Sequence, residues 1–170
     1  MIKNRDELIE KLYSLATLPD DFTIKYKTLI HDTLLKCPEL LYALNNKELE
    51  SELFNEDGSL KEDGEWDRYF GENGSVRPYI LIPETNTDTR NYVCYQVGFD
   101  DVPTYHKPYC YTQITFTIFV NENNRTDPET GIPRHDLIAS IIKGKFNWSS
   151  IFGLQTKLIS SKESTTDTHF

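Results

Sequence analysis

The residues that most invite a chemical role are His135 and Asp136, which are adjacent at the predicted start of a helix. A histidine beside a carboxylate is the arrangement of a general base and the group that orients it. A carboxylate in a first helical turn is also stabilised by the positive end of the helix dipole, without any catalysis. We favour this second interpretation, because the chain has no glycine-rich phosphate loop, nucleophile elbow or Cys–His signature. The sequence therefore predicts a protein that is not an enzyme and has no catalytic residue.

The spacing of histidines and carboxylates also bears on metal binding. The four histidines are scattered, and none lies four residues from another, as a helical metal site requires. The acidic loop Asn55–Leu60 resembles a calcium loop, but with Gly58 at the sixth position the first ligand position falls on Leu53. We therefore predict no metal ion and no cofactor.

Three cysteines, Cys37, Cys94 and Cys110, are an odd number without CxxC spacing, so neither a disulfide framework nor a zinc site is expected. The N-terminus is charged and lacks the apolar region of a signal peptide. No apolar run approaches the roughly 20 residues that span a bilayer. We expect synthesis in a reducing cytoplasm and no membrane partner.

The charge of the chain is concentrated in one segment. The formal net charge is −9, and Lys47 to Glu72 holds ten acids and three bases, which is −7 of that total. Such a balance argues against general affinity for nucleic acid, which needs clustered Lys and Arg. Trp66, Tyr69 and Phe70 interrupt the acids, so we expect a long acidic loop that is docked by these aromatic side chains.

Hydrophobic periodicity and turn residues predict one α+β domain over residues 1–170, in which N-terminal helices precede a mostly antiparallel β-sheet packed by an amphipathic helix. Its parts are a helical region (1–45), the acidic loop (46–75), a sheet-plus-helix core (76–160) and a loose tail (161–170). The predicted helices are 4–17, 23–36 and 39–44, and a fourth that begins at Pro133 and ends at Gly144. The predicted strands are Val76–Pro83, Tyr92–Phe99, Tyr109–Val120 and Leu154–Ile159.

The alternation of the strands predicts which side chains face the core. The expected inward residues are Val93, Tyr95, Val97 and Phe99 in one strand, and Cys110, Ile114, Phe116, Ile118 and Val120 in the next. The covering helix would present Leu137, Ile138, Ile141 and Ile142, and the second helix would present Ile24, Tyr26, Leu29, Ile30 and Leu34.

Several of these segments together resemble a known class of proteins. They are Arg77–Pro83, Asn91–Val97, Gln113–Ile118, Thr130–Ile142 and Phe146–Trp148, followed by Ile151–Gln155. Their order is similar to that in small head–tail junction proteins of tailed bacteriophages of Firmicutes, especially tail terminator or tail completion proteins. The resemblance covers residues 76–160. It departs from the pattern in the long region before the sheet and in the absence of an Arg-rich strand after Asp167 and Thr168.

The resemblance implies a virion structural protein, located in the tail or neck, that forms a ring at the head–tail interface. The ring would be a homo-hexamer, with a dodecamer as the alternative, and would contact the tail tube protein and neck or head-completion proteins. DNA would pass through the lumen without specific binding, and acidic residues there would repel it rather than grip it. The candidates for the lumen are Glu56, Asp57, Glu62 and Asp63.

Three sets of residues are predicted to make subunit or partner contacts. They are the loop 121–134 with Arg125 and Arg134, the exposed aromatics Trp148 and Phe152, and the acidic segment with Trp66, Tyr69 and Phe70. Two other functions remain open at this point. One is a head-closure or connector ring of the same neck, and the other is an acidic DNA-mimic inhibitor.

Overall fold

The computed structural model describes residues 4–16, 22–44, 53–61, 69–71, 74–80, 90–99, 111–153 and 155–164. These residues form four α-helices and one three-stranded sheet, which confirms the predicted α+β class. The helices are α1 (Arg5–Ala16), α2 (Phe22–Leu35), α3 (Pro38–Leu44) and α4 (Arg134–Phe146), and the strands are β1 (Val76–Arg77), β2 (Tyr92–Phe99) and β3 (Thr112–Phe119).

Helix α1 forms where the periodicity predicts it, but it buries none of its side chains. Asn4 caps it, since its Oδ1 accepts a hydrogen bond of 2.8 Å from the Glu7 amide. The apolar residues that define the helical pattern remain between 43% and 57% exposed, namely Leu8, Ile9, Leu12 and Leu15. The pattern thus predicts the helix correctly although the helix does not contribute to the core.

The core begins at the end of α2. Ile30 and Leu34 are fully buried as predicted, whereas Ile24 is 42% exposed and its predicted burial is wrong. The Cys37 amide bonds to Leu34 O, and Pro38 then starts α3 at a position where its missing N–H costs no hydrogen bond. Helix α3 is buried on most of its surface, through Leu40, Leu41, Ala43 and Leu44.

The sheet is mixed, with the order β1-β2-β3. Strands β2 and β3 pair antiparallel from Tyr92↔Phe119 to Phe99↔Thr112, while the short β1 pairs parallel to β2. Of the predicted strand over 76–83, the described residues 76–80 contain only the two residues of β1, and 81–83 lie outside the described residues. Pro78 follows β1 directly, and it has no N–H to donate to a ladder.

Helices α2 and α4 pack on one face of this sheet. From the sheet, Val93 and Tyr95 are buried, and Ile114, Phe116 and Ile118 pack against them as predicted. Ile138 and Ile142 of α4 complete this layer, with Leu137 and Ile141 at its border. The predicted one-sided burial of β2 is wrong at both ends. Tyr92 and Cys94 on the opposite face are also buried, and the Arg77 guanidinium covers the Tyr92 ring at 4.7 Å. At the other end of the strand, Phe99 is 43% exposed.

Two predicted element boundaries in the C-terminal part are wrong. Helix α4 continues past Gly144 to Phe146, whose ring stacks on Phe116 at 5.2 Å and holds the last turn against the sheet. The chain over residues 155–159 is not a strand. Thr156 instead makes two backbone hydrogen bonds to the turn after α4, one to Trp148 and one to Ser149. Residues 161–164 are exposed, and the rest of the predicted loose tail lies outside the described residues.

Two glycines offer a matched test of this packing. A Cβ on the buried Gly74 would overlap the backbone of Tyr69 and lie 2.7 Å from Phe70 N, so Gly74→Ala should destabilise the fold by about 1–3 kcal/mol. A Cβ on Gly144 meets nothing within 4 Å, so Gly144→Ala in α4 should stabilise it by about 0.5–1 kcal/mol. Urea unfolding of both variants measures the two changes. Equal stability of the two variants would contradict this packing.

Candidate functional site

The connection between β3 and α4 is an ordered loop that is built from its own side chains. Asn121 caps a single 3-10 turn (Glu122–Asn124), because its Oδ1 accepts a hydrogen bond of 2.9 Å from the Asn123 amide. Asp127 then closes a second turn, in which its Oδ2 accepts from the amide and hydroxyl of Thr130 at 2.9 and 2.7 Å. Asx turns of this kind fix the backbone locally. The loop therefore has a defined shape before any contact with the rest of the protein.

Arg134, the first residue of α4, fastens this loop to the core. Its side chain is 1% exposed, and its Nη2 lies 3.2 Å from Asp127 Oδ1 in an ion pair that is buried on both sides. Its Nε donates to Asn124 Oδ1 at 2.9 Å, and its Nη1 donates to Ala43 O at 3.3 Å, near the end of α3. One guanidinium thus joins the loop, α3 and α4. Because the side chain is buried, the prediction that Arg134 provides a surface contact is wrong.

Asn91 makes a second buried connection between the same elements. It is fully buried, its Nδ2 donates to Leu44 O at 2.7 Å, and its Oδ1 accepts from the Asn121 amide at 2.8 Å. At the end of α3, the carbonyls of Ala43 and Leu44 therefore accept hydrogen bonds from the side chains of Arg134 and Asn91, where a longer helix would supply backbone amides. Sequence analysis missed both Asn91 and Asp127. The spacing of Asp127, Thr130 and Gly131 is a turn signal that indicates the Asp127 turn, but not its ion pair.

The ionisation of Asp127 depends on these neighbours. Burial by itself raises the pKa of a carboxyl, but the hydrogen bonds from Thr130 and the charge of Arg134 outweigh it here. The pKa of Asp127 is therefore held below its ordinary range, and the side chain is a carboxylate at neutral pH. An ionised Asp127 gives the buried Arg134 a charged partner, which removes most of the cost of burying the guanidinium.

The outer surface of the loop carries the residues that are free to meet another molecule. Arg125 and Glu122 are 68% and 65% exposed and form an ion pair of 3.3 Å. Such an exposed pair contributes little to stability. The Arg125 carbonyl accepts the Arg134 amide at 2.7 Å, so the backbone beneath this charge is fixed to α4. Ile132, 42% exposed, adds an apolar group to the same loop.

Trp148 is the second exposed feature, and it lies just beyond the other end of α4. It is 59% exposed and has a left-handed backbone with φ of 60°, a conformation that favours glycine. A bulky residue there costs on the order of 1–2 kcal/mol. The hydrogen bonds of Thr156 to the adjacent backbone hold the turn in place. Burial of the indole within the chain does not offset this cost, so the turn presents a large aromatic side chain to the surface.

The other predicted contact residues are placed differently. Phe152 is 8% exposed, and its ring packs on Phe146 and Tyr26, so the prediction that it is an exposed aromatic is wrong. Tyr69 and Phe70 are buried, as expected if they dock the acidic segment, and neither side chain is therefore a surface contact. Trp66, Glu62 and Asp63 lie outside the described residues.

The acidic candidates that the structure describes are at the surface. Glu56 and Asp57 are exposed in a turn that is closed by a bridge between Phe54 and Leu60. Asp57 accepts hydrogen bonds from the Ser59 amide and hydroxyl, which hold the pKa of its carboxyl below the ordinary range. Both side chains thus add negative charge to this part of the surface.

His135 and Asp136 form a loose, solvated cluster. Their side chains lie 3.6 Å apart, and Glu163 lies 3.4 Å from the same His135 Nε2. Within the described ranges, no group of three or more His, Cys, Asp and Glu side chains is arranged to hold a metal ion. Among the same residues, no helix is both long enough and apolar enough to cross a membrane.

Comparison with known proteins adds one finding to this geometry. Residues 38–170 match the model of a family described as YomW. The matched region begins at the first residue of α3 and includes the loop, its buried ion pair and Trp148. No curated protein and no solved structure matches the chain.

Replacement of Asp127 tests the role of the ion pair. Asp127→Asn should lower the free energy of unfolding by about 3–5 kcal/mol at neutral pH, because it leaves the Arg134 charge buried without a partner. The pKa of Asp127 is lower in the folded than in the unfolded protein, where it has the ordinary value of about 3.9. Ionised Asp127 therefore stabilises the wild type at pH values above about 3.9, and this stabilisation is lost as the pH falls through the lower pKa of the folded state. The difference between wild type and variant should therefore shrink on acidification.

Urea unfolding at a series of pH values measures this difference. Glu129→Gln is the matched control, because Glu129 is an exposed acidic residue of the same loop, and its effect should stay within about 0.5 kcal/mol. A difference between wild type and Asp127→Asn that does not depend on pH would contradict the assigned ion pair.

The exposed tryptophan gives a second prediction. Trp148→Gly should leave the free energy of unfolding within about 1 kcal/mol of the wild type, because relief of the left-handed backbone offsets the greater freedom of the unfolded chain. Phe152→Ala should cost about 3–5 kcal/mol, because Phe152 is buried against two rings. Thermal and urea unfolding compare the two. A large loss for Trp148→Gly would show that the indole serves the fold rather than the surface.

Proposed function

The chain belongs to the YomW family, which is phage-derived and named after a Bacillus prophage gene, and from this premise we propose that it is a virion structural protein. In this proposal, identical copies form a ring at the head–tail interface of a tailed phage. The ring terminates the tail tube, joins it to the neck and lets the genome pass through its lumen. The first partner is thus a further copy of this chain, and the tail tube protein and neck proteins are the others.

The observation that supports this proposal most directly is the pair of exposed features at the two ends of α4. The loop with Arg125 lies before the helix and Trp148 lies after it, and 13 helical residues separate their ends by about 20 Å. Both are held by buried or backbone hydrogen bonds, so they are surfaces of fixed shape. Two different patches at the two ends of one helix suit head-to-tail contacts, which form a ring when the rotation between copies closes.

The charges are compatible with a DNA passage. A net charge of −9 does not favour binding to the phosphate backbone of DNA, which needs clustered Lys and Arg. The exposed Glu56 and Asp57 add to the negative charge of the surface. In a lumen, such a surface repels the phosphate backbone and leaves the DNA free to move. A head-closure ring needs the same property, so the identity of the neighbours distinguishes the two rings.

Oligomer mass tests the ring. Native mass spectrometry across a concentration series, with and without the tail tube protein, is expected to show a closed hexamer. Arg125→Glu and Trp148→Ala should each reduce that species without loss of thermal stability, because both side chains are exposed. Lys25→Glu, the same charge change at an exposed position of α2 away from both contacts, is the matched control.

Three outcomes separate the parts of the proposal. A wild type that stays monomeric under both conditions contradicts the ring, and unchanged masses for both variants contradict the two assigned contacts. In particles assembled with the variants, DNA-filled heads without tails support the tail terminator, and emptied heads support the head-closure ring. Normal particles would count against both.

A further inference from the structure

The two edges of the sheet are not equivalent. At the β1 edge, Phe70 bridges to Val76, and the Gly71 amide donates to Val76 O at 3.0 Å, so this edge is already covered. At the β3 edge, no strand pairs with β3 among the described parts of the chain. An uncovered edge presents a row of backbone donors and acceptors to any strand that can reach it.

One hydrogen bond identifies the groups on that open edge. The Val93 amide donates to Ser75 O at 2.8 Å, so Val93 directs its backbone groups toward β1, and its neighbour Cys94 directs its own toward β3. Cys94 is opposite Thr117, and these two residues therefore face each other across the ladder. By alternation, the N–H and C=O groups of Ile114, Phe116 and Ile118 point away from β2, and the described structure gives them no partner.

Strand β3 lacks the features that usually block an edge. Thr112–Phe119 contains no charged residue, no proline and no glycine. It pairs with β2 residue for residue over all eight positions, without a bulge that would twist the edge away. Native edge strands commonly use a lysine, a proline or a bulge to prevent pairing with another chain.

The sequence of β3 also fits its own copy. In an antiparallel pair centred on Thr115, Ile114 of each copy lies opposite Phe116 of the other, and in one centred on Phe116 it lies opposite Ile118. Both registers keep apolar side chains on the core face and Thr on the outer face. Two chains of net charge −9 repel each other, so an uncharged strand is where they can approach at least electrostatic cost.

We infer that β3 pairs antiparallel with β3 of a second copy, so that the two sheets become one continuous sheet. The pairing is twofold, because the covered β1 edge leaves no second edge for a head-to-tail arrangement. This inference does not depend on the proposed function. In a ring of the kind proposed above, a twofold contact does not close the ring itself but joins copies of two rings, which yields a dodecamer.

Charge at Thr115 tests the pairing. Its side chain is exposed and its backbone groups face β2, so Thr115→Lys and Thr115→Glu keep the backbone bonds of the monomer. In the pair, position 115 meets position 115 or 117 of the other copy. Each variant alone should raise the dissociation constant for self-association at least about tenfold, and an equimolar mixture should restore it through opposite charges. Sedimentation velocity measures both, with Ser160→Lys and Ser160→Glu as exposed controls.

Cross-linking gives a second and independent readout. Thr115 and Thr117 occupy positions whose counterparts approach closely in the pair. In a Cys94→Ala background, which removes the thiol opposite position 117, Thr115→Cys and the double variant Thr115→Cys/Thr117→Cys should form intermolecular disulfides on mild oxidation. The parent Cys94→Ala variant and Ser160→Cys in the same background measure the cross-linking that the remaining native cysteines, Cys37 and Cys110, contribute. Unchanged self-association of both charge variants, or cross-linking no greater than that of Ser160→Cys, would overturn the inference.

Discussion

The buried ion pair between Arg134 and Asp127 is the interaction on which the surface features of this protein depend. It links the first residue of α4 to the loop before it, and its remaining donors reach Asn124 and the end of α3. A buried guanidinium is tolerated only when its hydrogen bonds are satisfied, so these groups must keep one relative arrangement. The ion pair therefore gives the polar loop between β3 and α4 one fixed conformation.

Helix α4 has fixed ends as well as a face that covers the sheet. Its buried face, with Ile138, Ile142 and Phe146, anchors it to the core, and its two ends display Arg125 and Trp148. The left-handed backbone at Trp148 shows that the fold maintains this presentation at an energetic cost. Rigid display of an aromatic and a charged side chain is what protein interfaces require, because less ordering entropy is lost on contact.

The N-terminal helices relate differently to this core. The family match begins at Pro38, the first residue of α3. Helix α2 nevertheless contributes Ile30 and Leu34 to the core, whereas α1 buries nothing. A helix of 12 residues is marginal on its own in water, so α1 is the described element with the least support from the rest of the fold.

Local patterns in the sequence determined the kinds and positions of most elements. The 3.6-residue period places α1 to α3, and the two-residue alternation places β2 and β3, because both periods follow from the backbone geometry of neighbouring residues. Only the tertiary structure decided that Arg134 and Phe152 are buried, that residues 155–159 do not form a strand and that no strand among the described residues pairs with the outer edge of β3. These outcomes depend on groups distant in sequence, such as Ala43 for Arg134 and Tyr26 for Phe152. Periodicity records which side of an element is apolar, but the partner that covers that side is fixed only when the chain packs.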